Sequence, residues 1–496
     1  MPAPLVAQHR RLAAALAATA LLAAGCDSTS TPAAGSPSAT TTPSSTSASP
    51  TASGGPSASA TEPAVPVTVP GGPTLLGAGM TARKVADIPP LAIRLLQNPA
   101  DKAVYLLHPQ QGLSRVNLTD GSLTPVSPVA DIVDGVPSGM TFGPDGTAYV
   151  VGNKTTATTT HGVIRRGTPD GSGGFAWSTR ATSDEYPLAE GPVNHSFNGV
   201  VVSPDNKSIF VNSGSRTDHG EVEDGKGAFP NTREVPLTSA IFKLPATAKD
   251  LKLKNSVAAL APYLYADGVR NAYSLAFAST GELFAIDNGP DADLPDELNL
   301  IKQGGNYGFP WRFGSQDNPQ SKPGYDPAKD VTIQPASSAA KLGRYLNDPT
   351  FPKSPGHLTD ALANKGPSAV NFRGDDGTAH DAAKDGVALT TFTPHRSPLG
   401  LVFTDKSYGP QPSGDLHALL LSWGASIGDL PDQGQDLQAV DFVKTGSTYT
   451  LTTNQLATGF KHPIDQVLVD GHLYVLEMGD FGDNAPNVGI WEITFA

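Results

Sequence analysis

The stretch Leu275-Ala276-Phe277-Ala278-Ser279-Thr280-Gly281-Glu282-Leu283-Phe284-Ala285 sets two short apolar runs on either side of a Ser-Thr-Gly turn. Two such runs joined by a turn residue that lets the chain reverse are the pattern of a β-hairpin. Gly139 to Val151 repeats it around Pro144-Asp145-Gly146, and Gly199 to Val211 around Pro204-Asp205-Asn206. Val467 to Val475 repeats it around Asp470-Gly471. A weaker copy runs from Gly400-Leu401-Val402-Phe403 through a longer loop to His417-Ala418-Leu419-Leu420-Leu421-Ser422. Adjacent copies lie roughly 60–75 residues apart, a repeat-like period. Dividing the folded part by it gives about six units, which predicts an all-β, six-bladed β-propeller with long loop insertions. A pair of β-sandwiches is the rival architecture and accounts less well for the repeat. Helical periodicity is scarce; Leu358 to Leu362 and Lys249 to Leu260 are the best short candidates. Ser315 to Ser368 is rich in Pro, Gly and Asp and is expected to form a long insertion on one face, bordering the site.

Toward the N-terminus the character changes. His9, Arg10 and Arg11 form a basic patch, followed by an Ala/Leu-rich apolar run from Leu12 to Ala24. That run is too short for a comfortable membrane span and has the order of an export signal. It ends in Leu22-Ala23-Ala24-Gly25-Cys26, which resembles the lipobox of bacterial lipoproteins, with Ala23 three places before the cysteine. The resemblance implies a signal peptide over 1–25, removal of it, and a lipid on Cys26 that anchors the protein outside the cytoplasm. An ordinary secretory signal with an incidental cysteine is the alternative. Residues 26–70 are nearly all Ser, Thr, Pro, Ala and Gly, unable to bury enough apolar surface to offset ordering entropy. They are expected to be a disordered tether, leaving 71–496 as the folded domain.

Composition narrows the function classes. The formal net charge of -13 argues against a nucleic-acid partner and is compatible with divalent cations. Cys26 is the only cysteine, so no disulfide joins two parts of the chain. The sequence has no Walker loop, no His-Glu-x-x-His and no Cys-x-x-Cys-His.

Candidate chemistry clusters around the opening hairpin. Arg270 and Asn271 precede it, and Arg270 offers a fixed cation with planar donors for an anionic group. Gly289 and Pro290 follow its second strand, and such a strand end can aim backbone carbonyls at a hard cation. A simple Asn-Gly-Pro turn is the plain alternative. Asp291, Asp293, Asp296 and Glu297 add negative charge, which would help attract a divalent ion. His195, in Asn194-His195-Ser196-Phe197-Asn198-Gly199, sits just before the second hairpin and can accept a proton from a hydroxyl.

From about Ile132 to Ile493 the order of these motifs resembles the soluble PQQ-dependent sugar dehydrogenases, the glucose/sorbosone dehydrogenase family. The resemblance is most specific between Arg270 and Trp311. It implies pyrroloquinoline quinone (PQQ) and calcium as cofactors at one end of the propeller channel. It implies His195 as the general base at a sugar's anomeric hydroxyl. It implies Arg270 and Asn271 as groups that stabilise the reduced quinone, and the Gly289 and Pro290 carbonyls as ligands of a cofactor-bound calcium. Asp296, Glu297 and Tyr307 match residues of a separate structural calcium site. His395-Arg396-Ser397-Pro398 and Ser422-Trp423-Gly424 resemble late blades, where Trp423 is expected to stack on cofactor or sugar, or to be a core residue. Lys461 and His462 fall where relatives carry arginines for the cofactor carboxylates. Asn194 stands where relatives carry an acidic residue beside the base.

The expected function is oxidation of an aldose at the anomeric carbon to a lactone, with electrons passed to an external acceptor. A non-enzymatic propeller that binds carbohydrate or protein at the cell surface is the alternative. A calcium-dependent lactonase-like hydrolase fits the Gly-Pro turn less well.

Overall fold

A computed structural model describes residues 65–190, 193–333, 345–410, 414–424, 430–432, 434–481 and 486–495. The expected signal peptide, Cys26 and all but the end of the expected tether lie outside the described residues. Among the described residues no helix is long and apolar enough to cross a membrane.

The chain forms successive antiparallel sheets. The first pairs Arg94–Gln97, Val104–His108, Gly112–Val116 and Leu123–Ser127 in sequence order. The second begins Val136–Phe142, Ala148–Thr155, Thr159–Pro169, Phe175–Ser183, and Leu251–Leu253 extends it in parallel. The third runs Phe197–Val202, Ser208–Ser213, Ala240–Pro245, Leu264–Asp267. The fourth has three strands, Ser274–Phe277, Leu283–Asp287 and Glu297–Ile301. The fifth runs Pro398–Thr404, Leu416–Ser422, Asp436–Thr445, Thr448–Thr458. The last joins both ends of the chain: Pro463–Val469, His472–Glu477 and Val488–Thr494, completed by the early strand Thr81–Ile88.

The first strands of these sheets adjoin in cyclic order, each beside the next, and Pro463–Val469 returns to Arg94–Gln97. A ring of this kind is a propeller and excludes paired sandwiches. Among the described residues the blades are unequal: five sheets carry four or more strands, and the sheet holding Ser274–Phe277 carries three.

The hairpin copies form as read. Leu275↔Ala285, Met140↔Val150, Val201↔Phe210 and Val467↔Tyr474 are register partners. Two copies open on glycine for a physical reason. A Cβ at Gly139 would stand 1.7 Å from the Asn198 carbonyl oxygen, and one at Gly199 would stand 2.6 Å from the Ala272 carbonyl oxygen. Only a residue without a side chain lets the inner strands approach this closely. Between sheets the core is apolar. Phe197 is fully buried, with its ring centroid 6.3 Å from that of Phe242, and truncating such a side chain costs about 3–5 kcal/mol.

The helix expectations are corrected. Leu358 to Leu362 is irregular, and Lys249 to Leu260 holds the strand Leu251–Leu253 and one turn, Val257–Leu260. The Ser315 to Ser368 insertion contributes two 3-10 turns, Pro319–Ser321 and Pro327–Lys329. Its far end passes into the strand Ala363–Pro367, which pairs in parallel with Thr448–Thr458.

Candidate active site

The inner ends of the third and fourth sheets place His195 beside Arg270. The His195 amide donates to the Ser215 carbonyl at 2.9 Å, and the Ser215 amide donates to the Arg270 carbonyl at 2.7 Å. Gly214 makes this approach possible, since a Cβ there would stand 2.4 Å from the His195 Cβ and 3.0 Å from the Arg270 carbonyl oxygen. The imidazole is 6% exposed. Its Nδ1 lies 3.1 Å from Ser215 Oγ, whose only proton goes to the Thr217 carbonyl at 2.7 Å. The contact therefore requires Nδ1–H to donate, which leaves Nε2 with its lone pair. Burial, and then the Arg270 charge, hold the His195 pKa well below the usual histidine range. His195 is thus a neutral imidazole with a basic Nε2, held by Ser215. Asn194, at the position of the expected acidic neighbour, ties its side chain to the Ala189 backbone instead.

Arg270 is 5% exposed and well anchored. Its Nε donates to the Asp218 carbonyl at 2.7 Å, Nη2 to Asp218 Oδ1 at 2.6 Å, and Nη1 to the Asn288 carbonyl at 3.2 Å. Asp287 accepts the amides of both Arg270 and Asn271, so one carboxylate fixes the turn that carries the pair. Asn271 is held in a relay of side-chain amides. Its Oδ1 accepts from Asn198 at 2.7 Å and its Nδ2 donates to Asn288 Oδ1 at 2.8 Å. Asn212 donates to Asn198, and Asn288 donates to the Pro398 carbonyl, so the amides link three sheets. A buried, satisfied relay of this kind rigidifies the ring.

Beyond Asn288, the Gly289 amide donates to Asp296 Oδ1 at 2.6 Å, and the Ser397 amide donates to Asp296 Oδ2 at 2.8 Å. Asp296 is thus a backbone clamp. The carboxylate across from Glu297 is Asp287, its register partner on the adjacent strand. Burial pushes both of these carboxyls above their ordinary range, with the charge of Asp296 adding to the rise at Asp287 and that of Asp287 to the rise at Glu297. A small pocket lies beside them, with Gly289, Tyr307 and Arg312 also in its lining. The Tyr307 hydroxyl donates to the Leu300 carbonyl and accepts from the Lys302 amide, so the backbone holds it in place.

Residues 140–339 match the family described as Glucose / Sorbosone dehydrogenase. This stretch is similar to that family. It includes His195, Arg270 and the Gly289-Pro290 turn. Quinoprotein glucose dehydrogenase B of Acinetobacter calcoaceticus is 45% identical over 56 residues, 11% of this chain and 11% of that protein. The soluble aldose sugar dehydrogenase of Escherichia coli superposes with a TM-score of 0.52 at 12% identity, covering 84% of this chain and 100% of that one. The pyranose dehydrogenase PQQ domain of Coprinopsis cinerea gives 0.50 at 14% identity, covering 84% of this chain and 96% of that one. At such identities these two structures speak for the propeller fold alone.

Outside the matched stretch, the structure places the late-blade residues. Trp423 is 3% exposed and packs among Tyr273, Leu399 and Ile464. One face of its ring is stacked on His462 at 4.0 Å, so the indole is a core residue. His462 Nδ1 lies 3.2 Å from the Trp423 carbonyl oxygen, and Nε2 lies 3.4 Å from Asp480. Lys461 is exposed. Asp293 carries no open charge, because Arg373 donates to it at 2.5 Å and His395 Nε2 lies 2.8 Å from it.

Several residues that build the site were not singled out by sequence. Ser215, Asp218 and Asp287 are the partners just described. Arg94, on the innermost strand of the first sheet, lies with its guanidinium 3.9 Å from the Tyr273 ring centroid. Its alternating position in a strand gave no signal of that contact.

Proposed function

We propose that this protein oxidises an aldose sugar at its anomeric carbon to the lactone, using PQQ and calcium and passing electrons to an external acceptor. The observation that carries the reading is the buried His195, fixed by Ser215 with a basic Nε2 and set beside Arg270. The family match over 140–339 and the quinoprotein relative support the redox class. The fold is read as a six-bladed propeller whose three-stranded sheet is one blade.

PQQ, when bound, supplies a two-electron acceptor for hydride. His195 Nε2 takes the proton of the anomeric hydroxyl as the C1–H bond breaks and C1 becomes a carbonyl. Arg270 spends three N–H groups on Asp218 and Asn288, which leaves two of the five a guanidinium carries for a ligand oxygen. Such a cation stabilises negative charge arriving on a quinone oxygen. Lys461 and His462 are the assigned contacts for cofactor carboxylates.

The donor set suits calcium. No described hydrogen bond ends on the Gly289 or Pro290 carbonyl, so both remain to serve as ligands. The facing carboxyls of Asp287 and Glu297 lack a neutralising partner and suit a second, structural cation. The membrane reading is also a proposal: a lipid on Cys26 and a tether over 26–70 would hold the propeller at the outer face of the cell membrane.

The non-enzymatic alternative draws on the closed Trp423 and on the Asp218 carboxylate already paired with Arg270. Purified protein mixed with PQQ and calcium separates the readings. Dye reduction with at least one aldose is expected; no PQQ binding and no turnover across a panel of aldoses refutes the dehydrogenase.

A further inference from the structure

Asp218 is fully buried; two side chains are among its partners, and the Asp291 amide donates to Oδ1 at 3.1 Å. Oδ1 accepts from Arg270 Nη2 at 2.6 Å, and Oδ2 lies 2.9 Å from His219 Nδ1. The other ring nitrogen, His219 Nε2, lies 3.1 Å from Gln320 Oε1. That Gln320 atom also accepts the Leu346 amide at 3.0 Å, which identifies it as the oxygen. Both ring nitrogens of His219 therefore face acceptors, a carboxylate and an amide oxygen. Only the imidazolium, with two N–H groups, satisfies both. Glu221, 3.3 Å from Nδ1, adds a second carboxylate. The Tyr345 ring lies flat on the imidazole, with centroids 3.7 Å apart and planes 11° apart. Cations seated on an aromatic face gain favourable electrostatics.

Gln320, Tyr345 and Leu346 belong to the long insertion, while His219 and Asp218 follow the third sheet's second strand. The insertion thus reaches a site residue through two intermediaries. Charge gives the arrangement its purpose. A carboxylate bound to Arg270 alone would orient the guanidinium and also cancel its charge. A second cation on the opposite oxygen offsets the carboxylate and leaves Arg270 electropositive toward a ligand.

We propose that Asp218 and His219 are positioning residues for Arg270, with Gln320 and Tyr345 of the insertion holding His219 as a cation. The role in anion binding rests on the dehydrogenase reading; the geometry of the relay does not.

Three measurements on the full chain test it. In cofactor-free wild type, nitrogen NMR of the histidine rings is expected to show both His219 nitrogens protonated at neutral pH. A signal with one unprotonated nitrogen overturns the proposal. Labelling of Arg270 by phenylglyoxal, read by mass spectrometry, is expected to run about tenfold faster in Asp218→Asn than in wild type. If Asp218→Asn does not fold, Tyr345→Leu is expected to speed labelling and Tyr345→Phe, which keeps the stack, to restore the wild-type rate. Equal labelling in wild type and in the folded variants overturns the proposal. Finally, His219→Gln is expected to raise the dissociation constant for PQQ about tenfold, read by fluorescence quenching, with the sugar KM unchanged. An unchanged PQQ affinity removes the charge argument. If the wild type binds no PQQ at all, the dehydrogenase reading fails, while the labelling and the NMR still decide the relay.

Discussion

His195 and Ser215 are joined twice, by the His195 amide to the Ser215 carbonyl at 2.9 Å and by Nδ1 to Ser215 Oγ at 3.1 Å. The first bond fixes where the imidazole starts, and the second fixes which nitrogen carries the proton. A serine thereby does the orienting that a carboxylate beside the base would do, without adding charge. His195→Ala is expected to slow sugar oxidation by roughly 10²–10⁴-fold, the usual contribution of a general base. PQQ affinity is expected to stay near wild type. A variant that kept full turnover in a dye-reduction assay would remove His195 from the mechanism.

Ser215→Ala leaves Nδ1–H without its acceptor and frees the ring to take the other tautomer. Loss of one such hydrogen bond costs about 0.5–1.5 kcal/mol, so kcat is expected to fall about threefold to tenfold. Steady-state kinetics at saturating sugar measure this, and an unchanged kcat would show that Ser215 does not set the tautomer.

The pH profile follows from the same geometry. Burial and Arg270 depress the His195 pKa, so the neutral, basic form persists well into the acid range. The acid limb of kcat/KM is expected to fall below the ordinary histidine pKa of about 6.5, with a flat profile through neutrality. A limb at or above that value contradicts the assignment.

Gly214 is expected to tolerate no side chain. A Cβ there would lie 2.4 Å from the His195 Cβ, and such overpacking costs typically about 1–3 kcal/mol. Gly214→Ala should lower the thermal midpoint and displace His195, with both effects visible by calorimetry and turnover. A fully active, equally stable variant would show that the backbone relaxes freely here.

Calcium should act on stability as well as on turnover. The buried Asp287 and Glu297 carboxyls have pKa values raised above their unfolded values. The folded state therefore binds more protons, and metal-free stability is expected to fall as pH rises from the ordinary carboxyl range toward the folded values. A cation there neutralises the pair, so added calcium should raise the thermal midpoint more at neutral than at acid pH. Glu297→Gln should remove most of that gain. A calcium effect independent of both pH and Glu297 would place the ion elsewhere.

Local patterns carried much of this protein. The hairpins were legible because strand alternation and turn chemistry act within a dozen residues. The glycines opening two of them were legible as signals, though their reason, the neighbouring strand's carbonyl, was not. Trp423 stayed open because a tryptophan near a strand end reads alike whether it meets solvent or core, and packing against Tyr273 and Leu399 decided for the core. At Asp296 and Tyr307 the sequence shows a carboxylate and a phenol but not the backbone amides and carbonyl that hold them.

By itself the sequence determined the all-β repeat, the His195 candidate and the Arg270-to-Pro290 unit, because each rests on residues close together in the chain. Only the tertiary structure decided which groups act on them. Asp218 reaches Arg270 across 52 positions, Ser215 reaches His195 across 20, and Gln320 reaches His219 across 101. Ring closure brings these side chains together in a buried setting, where the placement of one proton and one counter-charge sets what a histidine and an arginine can do.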